Sequence, residues 1–304
     1  MAAPEFVRTP EERFTNLPNY AFAPNYTDDL AGFEGLRLHY VDAQPARPAP
    51  DMQTFLCLHG EPTWAYLYRK MIPVFTGAGH RAVAPDFFGF GRSDKPVDDA
   101  VYTFNFHRAT LMRFIERLDF KNVTLVVQDW GGLLGLTLPM EYPDRIARLL
   151  VMNTTLAVGE TPGPGFDGWK AYVKANPDLG VGKLMKRACP HLTDAETAAY
   201  DAPWPDMRSK AGVRRFPELV MVSPEMEGAD ISRRARAWLA REWRGQSFMA
   251  IGAADPVLGP PVMEALRKHI QGCPEPMVIP EGGHFLQEWG EPIARAAVAS
   301  FARG

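Results

Sequence analysis

The chain is short of several things, and each shortage excludes something. No stretch approaches the ~20 uninterrupted apolar residues needed to cross a bilayer, so no membrane span is expected. The opening residues include Glu5, Arg8, Glu11, Glu12 and Arg13 and lack the apolar core of a secretory signal. There are only three cysteines, Cys57, Cys189 and Cys273. They are odd in number, widely spaced and set mostly among apolar neighbours, which suits reduced packing thiols rather than a disulfide framework. No cluster with metal-ligand spacing is visible, so neither a metal nor a cofactor is expected. Positive charge is also scarce as a field: 33 Lys and Arg against 36 Asp and Glu leave a formal charge of −3, spread along the chain. That excludes the basic patch a nucleic-acid partner requires. What these absences leave is a soluble, cytoplasmic protein, expected to be a monomer, that acts on a small molecule.

At 304 residues, with 46% hydrophobic residues, the chain can bury one large core and still carry an insertion. Residues 1–30 hold Pro4, Pro10, Pro18 and Pro24 and read as an extended arm with one short strand. Leu36 to Val41 alternates like a half-buried strand, and a proline-rich loop follows from Gln44 to Pro50. Thr54 to Leu58 is a continuous apolar strand that stops at His59-Gly60-Glu61-Pro62, after which Trp64 to Phe75 has near-helical apolar spacing. Arg81 to Ala84 is a further strand, followed by the loop Phe87 to Pro96 and an amphipathic helix from Thr103 to Leu118.

Val123 to Gly135, VTLVVQDWGGLLG, reads as a buried strand, a tight turn and the start of a helix running to about Glu141. The paired Gly131 and Gly132 let that helix begin hard against the sheet. This is the shape of a nucleophile elbow, with Asp129 where an esterase has serine. A carboxylate with an unperturbed pKa of about 3.9 is already anionic at neutral pH and attacks carbon without first losing a proton. Taken alone, the same four letters DWGG would also close a strand as an ordinary polar turn.

Ile146 to Met152 is the next strand, and then the rhythm breaks: residues 155–223 show Pro/Gly loops around helical segments and no clear strand. The division expected is a core of residues 1–154 and 224–304 with a helical cap of residues 155–223. Alternation resumes with a helix from Asp230 to Trp243, a strand from Ser247 to Ile251, a helix from Pro260 to Ile270, a strand from Met277 to Ile279 and a closing helix from Glu291 to Ala302. Such alternation argues for an α/β protein whose mostly parallel sheet is flanked by helices and carries its chemistry at the carboxyl ends of strands. Two such ends supply what Asp129 lacks. Asp255 follows one strand in IGAADPVLGPP, and His284 follows the last in PEGGHF, giving the chain order nucleophile, acid, histidine of the α/β-hydrolase triad. His39, His80, His107, His191 and His269 lack that strand-end setting and read as packing or surface residues.

HGEPTW, APDFFGFGRSDKP, VVQDWGGLLGLTLP, FMAIG, GCPEP and GGHF together resemble the haloalkane dehalogenases of the α/β-hydrolase superfamily, from about Phe55 to the C-terminus. The subfamily resembled is the one whose catalytic acid follows the seventh core strand, since Asn153 stands where the sister subfamily has its acid. The resemblance implies Asp129 as nucleophile, His284 as base and Asp255 as the acid that orients it. It implies the backbone N–H groups of Glu61 and Trp130 as an oxyanion hole, a water-holding role for the Glu61 side chain, and Trp130 and Trp169 as halide donors. It also implies a pocket wall of Glu61, Leu133, Phe166, Phe216, Pro217, Val220 and Leu258. The glycine- and proline-rich loop before Phe166 is short of an aromatic, and Leu133 replaces another, so a roomier pocket is expected. The partners implied are a haloalkane and a halide ion. Three other readings compete: an epoxide hydrolase, which needs two cap tyrosines such as Tyr172 and Tyr200; a non-catalytic ligand receptor on the same scaffold; and an esterase, disfavoured by the missing serine.

Overall fold

A computed structural model describes residues 3–303. Ten strands are found among them: β1 (Phe6–Val7), β2 (Pro24–Thr27), β3 (Leu38–Ala43), β4 (Thr54–Leu58), β5 (Arg81–Pro85), β6 (Lys95–Pro96), β7 (Val123–Val127), β8 (Ile146–Met152), β9 (Gln246–Gly252) and β10 (Met277–Ile279). Eight form one sheet in the order β10-β9-β8-β7-β4-β5-β3-β2, and β1 with β6 makes a separate antiparallel pair. The sheet is parallel from β10 to β5, while β3 and β2 close it antiparallel. The central strands β4 and β7 are buried along their whole length, as their predominantly apolar sequences require of strands covered on both faces.

The helices are α1 (Ile72–Gly77), α2 (Phe104–Arg117), α3 (Trp130–Gly135), α4 (Pro164–Ala175), α5 (Val181–Ala188), α6 (Asp194–Asp201), α7 (Ala211–Leu219), α8 (Ala229–Arg241), α9 (Pro260–Arg267) and α10 (Gly290–Phe301). Between β8 and α8 the described residues contain helices and loops but no strand. This helical stretch is fastened to the sheet body at several points. Arg69 Nη2 donates to Glu196 Oε1 at 2.9 Å, Arg13 Nε donates to the Ala202 carbonyl at 2.8 Å, and Trp204 Nε1 donates to the Gly89 carbonyl at 3.2 Å.

Three local expectations are corrected. The arm carries two strands rather than one, because β1 finds a partner in β6 and β2 extends the main sheet. Trp64 to Phe75 is not one helix but a 3-10 turn, Ala65–Tyr68, followed by α1, with Pro73 fitting the first turn of the second piece. The elbow helix stops at Gly135 instead of reaching Glu141: Thr137 Oγ1 donates to the Leu134 carbonyl at 2.6 Å, and residues 136–141 continue as turns.

Candidate active site

The site is built where β4, β7, β9 and β10 end. Asp129 connects β7 to α3 with φ 49° and ψ −125°, a positive-φ conformation that costs an L-residue about 1–2 kcal/mol. The surroundings hold it there. The Asp129 N–H donates to the Asn153 carbonyl at 3.0 Å, and its own carbonyl accepts from Gly132 N, Leu133 N and Thr154 Oγ1. Glycine is required on both sides of this turn: a Cβ on Gly131 would collide with the Leu58 carbonyl, and one on Gly60 would meet the Asp129 carboxyl.

The two carboxylate oxygens of Asp129 see different neighbours. Oδ1 accepts the backbone N–H of Glu61 at 2.8 Å, and Oδ2 lies 3.6 Å from His284 Nε2. The Glu61 loop is itself pinned from behind by buried His59, whose Nε2 accepts Phe87 N–H at 3.0 Å while its Nδ1 donates to the Gly60 carbonyl at 2.9 Å.

On its other side His284 bonds through Nδ1 to Asp255 Oδ2 at 2.9 Å. The Asp255 side chain is wholly buried, but its charge is well supported. Oδ1 accepts from Val257 N and Leu258 N at 2.9 and 3.1 Å, and Oδ2 accepts from Asn153 Nδ2 at 2.8 Å. Burial opposes ionisation of Asp255, yet the imidazole, Asn153 and the backbone donors outweigh it and hold the carboxyl well below its ordinary range. Burial likewise works against a charged His284, but Asp255 and Asp129 prevail and raise it well above an ordinary histidine. Gln128 Nε2, 3.2 Å from His284 Nε2, acts the other way by favouring a lone pair there. Gln128 is held by the His284 carbonyl at 3.0 Å and by Gln287 Nε2 at 3.4 Å.

A cavity of about 530 Å³ opens over these groups, a volume within the range of ordinary ligand pockets. Glu61, Asp129, Trp130, Leu133, Phe166, Trp169, Pro217, Val220, Asp255, Leu258 and His284 all line it. Pro162, Gly165 and Gly168 contribute wall with little side chain, in keeping with the room expected there. Glu61 is 5% exposed, among the described residues its Oε1 has no hydrogen-bond partner, and Trp169 lies beside its carboxyl. Burial, followed by the nearby Asp129 charge, pushes the Glu61 carboxyl well above the usual carboxylate range.

Two residues that the sequence suggested for the pocket or its chemistry fall elsewhere, in different ways. Phe216 does not line the cavity: it is fully buried behind Trp130, with ring centroids 4.7 Å apart, and also packs on Phe90 and His107. Tyr200 is buried away from the cavity, bonded to Glu288 within a cluster that includes Arg69, whereas Tyr172 does line it. Only one of the two cap tyrosines is therefore available to a substrate. Gln128, Gln287 and Arg187 do not stand out in the sequence, because nothing in their local pattern tells a polar residue beside a strand end or on a helix from a solvated one.

Residues 53–291 match the family model of the α/β-hydrolase fold. A haloalkane dehalogenase of Psychrobacter cryohalolentis is 42% identical over 301 residues, covering 97% of each chain. Haloalkane dehalogenase 1 of Mycobacterium tuberculosis is 45% identical over 290 residues, covering 93% of this chain and 94% of its own. Among solved structures, the haloalkane dehalogenase DpaA of Paraglaciecola agarilytica, described as tetrameric, is 51% identical with a TM-score of 0.94, and the match covers 98% of this chain and 99% of that one.

Proposed function

From the premise that this chain belongs to the haloalkane dehalogenases of the α/β-hydrolase superfamily, hydrolases acting on carbon-halogen bonds, we propose how its own residues divide the reaction. Asp129 is the nucleophile. Because Oδ1 is engaged by the Glu61 N–H, Oδ2 is the oxygen that attacks the halogen-bearing carbon. The new C–O bond forms as the carbon-halogen bond breaks, and halide leaves with the bonding pair. The indole N–H groups of Trp130 and Trp169 receive that halide. Both residues line the cavity, and indole donates without bringing a competing charge.

Alkylation removes the negative charge of Asp129, and with it one of the influences that keeps His284 protonated. His284 thereby loses its proton and becomes competent to take one from water, which attacks the carboxyl carbon of the ester. The oxyanion that develops on Oδ1 already faces the Glu61 N–H, and the Trp130 N–H is its second donor. Collapse releases the alcohol and regenerates Asp129, whose returning charge keeps the proton on His284, so the one proton set free per turnover is the one His284 lost after alkylation. Asp255 fixes the imidazole with Nδ1–H towards it, leaving Nε2 to face the water. Glu61, biased towards its protonated form, is available to hold that water from the cavity side.

The observation that carries this reading is the split environment of the Asp129 carboxylate, one oxygen on a backbone donor and the other facing the His284–Asp255 pair. Residues 155–223 act as the cap that closes the cavity. All six residues given roles come from one chain, which supports a monomer as the working unit; sedimentation of the native protein tests this against the tetramer described for DpaA. Buried free Cys57 and Cys189 support a reducing, cytoplasmic setting. Bromide release from a short bromoalkane, set beside diol formation from the matching epoxide, tests the reaction class, and the bromoalkane is the compound expected to turn over.

A further inference from the structure

The cavity has a polar feature that carbon-halogen cleavage does not use. Phe166, Trp169 and Tyr172 recur every three residues along α4 and all line the cavity. The Trp169 and Tyr172 rings are stacked with centroids 6.0 Å apart, and the Arg187 guanidinium lies 5.4 Å from the Tyr172 centroid. The row thus runs from Trp169, beside Glu61, out to an exposed cation on the cavity wall. Among the described residues Arg187 has no carboxylate partner and no hydrogen-bond acceptor, whereas the adjacent Lys186 is engaged by the Leu192 carbonyl. The last turn of α5 accounts for a cation at this position. It does not account for a guanidinium laid against an aromatic ring on the wall of a substrate cavity.

We propose that Arg187 is a specificity-determining residue that favours substrates carrying a carboxylate at the end of the haloalkyl chain remote from the halogen. The inference rests on the dehalogenase reading of this cavity. The carbon-halogen end lies at Asp129 between the two indoles, the methylenes run along Trp169 and Tyr172, and the carboxylate meets the guanidinium. An extended chain advances about 1.3 Å per C–C bond, so the 6.0 Å from ring to ring and the 5.4 Å from ring to guanidinium set an upper limit of roughly ten carbons. A cavity of about 530 Å³ accommodates such a chain. The contact is made at an exposed rim, so its contribution is that of a partly screened ion pair and falls as salt rises.

The test is bromide release from 6-bromohexanoate and from 1-bromohexane at low ionic strength, in the wild type, Arg187→Met and Arg187→Lys. The quantity read is the ratio of kcat/KM for the acid to that for the alkane. In Arg187→Met the ratio should fall about three- to fivefold, mainly through KM, because the contact is equal in ground and transition states, and Arg187→Lys should keep it within about twofold. Added salt should lower the wild-type ratio towards that of Arg187→Met. An unchanged ratio in Arg187→Met overturns the proposal, as does a wild type that hydrolyses 1-bromohexane and rejects the acid. Bromide from neither compound would overturn the dehalogenase reading itself, and this proposal with it.

Discussion

Asn153 donates from Nδ2 to Asp255 Oδ2 at 2.8 Å, and its Oδ1 accepts the Gly252 N–H at 2.8 Å. The amide therefore braces the end of β9 and the carboxylate beyond it in one step. Asn153→Ala leaves a buried N–H unpaired and removes a donor from a buried anion. It should lower stability by about 1–3 kcal/mol and slow turnover as His284 loses its fixed partner. Urea denaturation and steady-state bromide release check the two effects separately, and an unchanged kcat would show that the brace serves the fold alone.

The charged pair itself sets a pH window. Asp255 is depressed, so its contribution is present above its unfolded pKa of about 3.9 and is lost as pH falls through the folded value. His284 is raised, so its contribution is present below about 6.5 and is lost as pH rises through the folded value. Both are complete only between about pH 4 and pH 6.5. The difference in melting temperature between wild type and Asp255→Asn should be largest in that window and shrink on either side. A difference that stays constant from about pH 2 to about pH 9, a span that reaches beyond both edges of the window, would contradict the assignment.

Trp169→Phe keeps most of the apolar volume of the side chain and removes only the N–H. If that donor meets the departing halide, its loss should cost about 3 kcal/mol in the barrier, roughly a hundredfold in rate, by analogy with oxyanion-hole deletions. Bromide should quench the tryptophan fluorescence of the wild type saturably and bind more weakly to the variant. Wild-type turnover and wild-type bromide affinity in Trp169→Phe would make this indole a packing residue.

The parts of this architecture that were legible from the chain are those written in local chemistry. Mostly apolar runs marked β4 and β7 because both strands are covered on two faces, and the glycines around Asp129 marked the elbow because no side chain fits there. Asp255 and His284 were legible because each lies in the loop just past a strand, and a parallel sheet brings all such ends to one edge. Phe216 was misplaced for the converse reason: on α7 it has the same apolar character as Pro217 and Val220, and only the packing of Trp130 against it decides that it supports the wall instead of forming it. Arg187 was invisible because a cation in the last turn of a helix is ordinary until the fold lays it against Tyr172. The arm escaped for a similar reason, since β1 exists only through pairing with β6, nearly ninety residues further along the chain.

The central claim, a covalent bond from Asp129 released by His284, is tested most directly by mass spectrometry of His284→Gln after brief exposure to a bromoalkane. Displacement does not need the imidazole, whereas hydrolysis of the ester does. The expected result is about one equivalent of bromide per active site and an alkyl adduct on the peptide that contains Asp129, absent from the doubly substituted Asp129→Ala, His284→Gln protein. Released bromide with that peptide unmodified, or an adduct on any other residue, would contradict it.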